Sequence, residues 1–128
     1  MPKNSPEFAF FLEVLETFEN LLHSETQAIA AKHLVTIEEI IERKDENLKA
    51  LLEAKERIGG NPRSISEADA LVDQVLELQE KNVESFRRLF KKQYKLNQGK
   101  GNSEKPIDRK LRKAYLTAGD GRLPELEG

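Results

Sequence analysis

From Glu7 to Ile58 the chain runs 52 residues without a glycine or a proline. That is several times the usual globular helix of about 11–12 residues, and as one straight helix it would reach roughly 78 Å. After Gly59-Gly60-Asn61-Pro62 a second breaker-free run of 36 residues extends from Arg63 to Gln98. Two long helical runs joined by so short a connection have few ways to fold other than back on each other. The expected fold is all-α: a long antiparallel helical hairpin, coiled-coil-like, over residues 1–98. Residues 99–128 read as a flexible linker and tail carrying a short C-terminal amphipathic helix.

The apolar residues follow helical spacing. In the first run Phe8, Phe11, Leu15, Phe18, Leu22, Glu25 and Ile29 form one seam, entered through Ser5-Pro6-Glu7, a cap, a first-turn proline and a first-turn acid. A second seam, Leu34, Ile37, Ile41, Lys44, Leu48, Leu51, Lys55 and Ile58, is out of phase with the first. The register slips between Ala30 and Thr36, which predicts a bend, a local unwinding or a change of packing partner there. The run after the turn carries two adjacent seams: Ala68, Leu71, Val75, Leu78, Asn82, Ser85, Leu89 and Leu96 on one, Val72, Leu76, Gln79, Val83, Phe86 and Phe90 on the other. A simple two-helix pair needs only one. Asn82 on the first of them reads as a polar residue that sets the register.

If the hairpin turns at Pro62, residue numbers facing each other sum to roughly 124, and everything before about Thr26 overhangs the end of the second helix. That overhang holds Phe8, Phe11, Leu12 and Leu15, in the most apolar stretch of the chain, and such a patch calls for a cover. The candidates are the tail folded back, a second copy of the chain in a homodimer, or an amphipathic helix of another protein. In the tail, Ile107, Leu111, Ala114 and Tyr115 fall at helical spacing, too short a segment to be stable unless docked.

Charge is unevenly placed. Glu7 to Arg57 carries 12 acidic and 6 basic residues, whereas Arg87 to Lys113 carries 11 basic and 2 acidic. Attraction between the two ends within the fold is the plain reading. The segment from Phe86 to Leu96 segregates its aromatic and basic residues onto opposite sides, a pattern open to anionic lipid or RNA. The apolar side is expected to pack inward and the basic side to be solvated, so neither nucleic acid nor stable membrane insertion is expected.

Chemistry is sparse. His23 and His33 stand ten residues apart, about 15 Å along one helix, too far to share a metal ion. No phosphate loop, Glu-x-x-His pair or nucleophile with a base stands at a recognisable spacing, and Glu38, Glu39 and Glu42 read as a solvated face and not as a catalytic pair. The reading is a protein without catalysis, metal or cofactor. The absence of cysteine, of a secretory-type leader pattern and of a long apolar span points to the cytoplasm.

Glu-Asn-Leu-Leu-His-Ser-Glu at 19–25, Lys-Asp-Glu-Asn-Leu-Lys-Ala-Leu-Leu at 44–52 and Leu-Glu-Leu-Gln-Glu-Lys-Asn at 76–82 together resemble the FlgN-like flagellar export chaperones. The resemblance extends over about residues 8–96. It implies a small cytoplasmic chaperone of type III flagellar secretion that binds hook-associated (hook–filament junction) proteins and hands them to the export gate, without catalysis. In that family the C-terminal part engages cargo and gate, which maps loosely onto Ile107, Leu111, Tyr115 and Leu116. A structural coiled coil that dimerises through the overhang is the leading alternative, and a nucleic-acid or membrane-surface adaptor a more distant one.

Overall fold

The computed structural model describes residues 5–98, 111–116 and 126. Among them the structure is all-α, with three long helices: α1 (Pro6–Ala30), α2 (Leu34–Ile58) and α3 (Ser66–Gln98). A 3-10 turn, Pro62–Ser64, sits in the α2–α3 connection, and one π-helical turn, Arg112–Leu116, follows from the tail.

The single rod expected over residues 7–58 is two helices, and the break falls where the seam slips. It needs no glycine. His33 N–H donates to Ala28 O and Lys32 N–H to Ile29 O, each at 3.0 Å, while Lys32 adopts a left-handed φ of 60°. These are the paired bonds of a Schellman ending, a role usually given to glycine because a side chain costs about 1–2 kcal/mol in that conformation. α1 begins as read from the sequence, with Ser5 Oγ accepting from Phe8 N–H at 3.1 Å and Pro6 in the first turn. α2 ends on Gly59 at φ 72°, where a glycine does take the left-handed position.

α1 folds back along α2, and α3 returns antiparallel to α2 and parallel to α1. The overhang is therefore absent. Phe8, Phe11, Leu15, Phe18 and Leu22 share one core with Leu51 and Ala54 of α2 and Ala68, Val72 and Val75 of α3. A second core joins Ala28 and Ile29 of α1, Ile37, Ile40 and Ile41 of α2, and Val83, Phe86 and Leu89 of α3. All seven positions of the first seam are buried, and burying each large apolar side chain contributes about 1.5–3 kcal/mol. The surplus seam on α3 is thereby explained, since its two stripes serve a bundle with an additional helix. Leu48, Leu71 and Leu78 lie only half-buried at the margin.

Candidate functional site

Each long helix carries a polar residue where its seam calls for an apolar one. These interruptions meet at one level of the bundle, between the two cores. Glu25 of α1 is completely buried, and Lys44 of α2 donates to both of its carboxylate oxygens at 3.0 Å. Lys44 also donates to Gln79 Oε1 of α3 at 2.7 Å, and its ammonium lies 6.0 Å from the centre of the Phe18 ring. Asn82, one turn further on, donates through Nδ2 to Glu25 Oε1 and to Leu22 O, both at 2.9 Å. The Thr26 hydroxyl lies 2.7 Å from Asn82 Oδ1 and 2.9 Å from Leu22 O, and its single proton serves one of the two. The layer is neutral overall because the ammonium offsets the carboxylate, which is the condition for burying either charge.

The tail completes this layer. Leu111 and Tyr115 are each 1% exposed and join the second core. The Tyr115 ring stacks on Phe86, with centroids 4.1 Å apart and planes inclined by 18°, and its hydroxyl donates to Glu25 Oε2. Burial, then the Glu25 charge, then the hydrogen bond to that carboxylate all raise the Tyr115 pKa above the ordinary tyrosine value, so the phenol stays a neutral donor. Arg87 of α3 pins the same turn from outside, donating through Nε to Tyr115 O at 2.6 Å. Alongside, α2 and the docked turn flank an open groove of about 470 Å³, lined by Ile41, Asp45, Leu48, Lys49 and Leu52 of α2 and by Lys113 and Ala114 of the turn.

The residues expected to bind a partner thus separate into two places. Phe8, Phe11 and Leu15 are buried in the first core and Leu12 is half-buried at its edge, so they present no open patch. Leu111 and Tyr115 come together against the second core, about 25 Å further along the bundle by the helical rise from Phe11 to Ala28. Leu116 ends the docked turn, and Ile107 lies outside the described residues. Among the described tail residues Leu126 packs in at the Phe11 end, beside Val72, and its carbonyl accepts from Arg63 Nη1 at 3.4 Å. Arg63 also donates through Nε to Asp69 at 2.7 Å and pairs with Asp73, fastening the α2–α3 connection to α3.

The layer itself was visible only as four misplaced polar letters. Glu25, Lys44, Gln79 and Asn82 each interrupt a seam, and spacing within one helix carries no information about which interruption faces which. The basic stretch of α3 divides as its pattern suggests over the described side chains: Phe86 and Leu89 are buried while Arg88, Lys91 and Lys92 are exposed. Arg88 pairs with Glu84 one turn earlier at 2.5 Å. Among the described residues no group of His, Cys, Asp or Glu side chains could hold a metal ion, and no helix is long and apolar enough to cross a membrane. No protein-family model, curated protein or solved structure matches the chain.

Proposed function

We propose that the protein is a cytoplasmic export chaperone of the FlgN-like kind, binding hook-associated proteins and delivering them to the flagellar export gate without catalysis. The observation that carries this reading is the docked tail turn. Five residues are far too few to hold a helical turn in water, so the seating of Arg112–Leu116 rests on Leu111, Tyr115 and the partners they find on the bundle. A longer amphipathic helix laid along the groove beside Ala114 would bury more apolar surface than this turn and displace it. The resemblance of residues 19–25, 44–52 and 76–82 to the family supports the same function, and because Phe8, Phe11 and Leu15 are buried within the chain, cargo is placed at the tail turn and not at the N-terminal end of α1.

Titration calorimetry tests the proposal, with the terminal helices of hook-associated proteins added to the full chain and to a Leu111→Ala variant. Saturable binding is expected for both, tighter for the variant because its cover is weaker. Absence of binding by either would defeat the chaperone reading for those partners.

A further inference from the structure

The seat of Leu111 and Tyr115 is chemically more demanding than a greasy groove. Its floor is a buried carboxylate. Glu25 Oε1 takes Lys44 and Asn82, whereas Oε2 faces Lys44 and the Tyr115 hydroxyl. One wall is the Phe86 ring, which demands a flat aromatic face parallel to its own. A neighbouring slot, lined by the aliphatic residues of the second core, takes Leu111 four residues earlier.

When the turn leaves, Oε2 loses a charge-assisted donor inside a buried layer. An incoming phenylalanine would restore the stacking and leave that donor missing. A tyrosine would restore both. A site built to hydrogen-bond a hydroxyl discriminates against the analogue lacking it more strongly than an apolar pocket discriminates between shapes.

We propose that this seat is a recognition site for a partner segment presenting an aliphatic residue and a tyrosine four positions apart on a helical turn, and that Leu111 and Tyr115 occupy it as the chain's own stand-in. The inference rests on the reading of the tail as a displaceable cover, and it adds the side-chain chemistry by which the displacing segment is chosen. Glu25 is then the residue that reads the hydroxyl, Phe86 the one that reads the ring, and Lys44 the one that positions the carboxylate.

The test uses the full chain carrying Tyr115→Ala, which empties the tyrosine's place and weakens the hold of the chain's own turn, and as probe a synthetic peptide of residues 107–118. Three peptides are titrated: the native sequence, its Tyr115→Phe version and its Leu111→Ala version. The native peptide is expected to bind about ten- to a hundredfold more tightly than the phenylalanine version, the range corresponding to a hydrogen bond to a charged group. The leucine-truncated peptide should also bind more weakly than the native one. The unsubstituted full chain should bind all three less well than the variant, because its own turn competes. Equal affinity for the native and phenylalanine peptides overturns the proposal, as does no binding of the native peptide or equal binding by the variant and the unsubstituted chain. If circular dichroism shows that Tyr115→Ala has lost its helices, the full chain carrying Tyr115→Phe takes its place: its ring still competes for the seat but lacks the hydroxyl, so it should bind the native peptide more tightly than the unsubstituted chain does. Hook-associated proteins do not enter this experiment. Failure here therefore leaves cargo binding to be judged separately, and failure of cargo binding leaves the preference for tyrosine standing.

Discussion

A substitution at Lys32 separates a broken first run from a continuous one by the sign of its effect. Lys32 is exposed and left-handed, with φ 60°, in the ending of α1. The backbone bonds that define this ending, His33 N–H to Ala28 O and Lys32 N–H to Ile29 O, involve no Lys32 side-chain atom. Comparing Lys32→Gly with Lys32→Ala removes the charge in both and leaves only the backbone difference. In the left-handed conformation alanine bears a penalty of about 1–2 kcal/mol that glycine escapes, and the greater freedom of glycine in the unfolded chain returns about 0.4–1 kcal/mol of that advantage. The glycine variant should be the more stable by about 0.5–1 kcal/mol. In an uninterrupted helix the order reverses, with glycine about 0.8–1 kcal/mol worse than alanine. Urea unfolding followed at 222 nm, with a common slope for both variants, resolves a gap of this size. If the alanine variant is the more stable, the helix passes straight through residues 31–33 and the three-helix arrangement is wrong.

Lys44→Ala strips the buried Glu25 carboxylate of its counter-ion and should cost about 3–5 kcal/mol, read as a lower urea midpoint; a loss under about 1 kcal/mol would mean that the pair is solvated. Leu22→Ala, at a fully buried position, should cost about 2–5 kcal/mol, and half-buried Leu71→Ala clearly less, so equal losses would show the faces to be misassigned. Because the folded-state Tyr115 pKa lies above the unfolded value, its contribution is complete below about pH 10 and is lost as pH rises beyond it. The unsubstituted chain should therefore lose stability above about pH 10 more steeply than Tyr115→Phe, by up to about 1.4 kcal/mol per pH unit, and parallel pH profiles for the two would place the hydroxyl in water.

Much of the bundle was legible because its signals are local. Seven positions at steps of three and four from Phe8 to Ile29 are all buried, and the phase slip between Ala30 and Thr36 marks the break to within a few residues. The type of break was not legible, since a lysine can hold a left-handed position only where the surrounding packing repays the strain, and nothing in its identity says so. The overhang failed for the same reason. The overhang follows only if the first run is one rod, and once α1 doubles back Phe8 and Phe11 share a core with Ala68 and Val72.

The sequence by itself determined helicity, the face each helix turns inward and the approximate ends of the elements, because capping, helical spacing and breaker residues act over four or five neighbours. Only the tertiary structure decided which faces meet. Glu25, Lys44, Gln79, Asn82 and Tyr115 lie up to 90 residues apart, and their hydrogen bonds exist only when three helices and the tail turn arrive at one level. The seat of the tail was undecidable from sequence on the same ground. Leu111 and Tyr115 carry an apolar stripe that would suit either core, and the choice falls to the one polar atom of Tyr115, which is satisfied where the buried carboxylate of Glu25 stands.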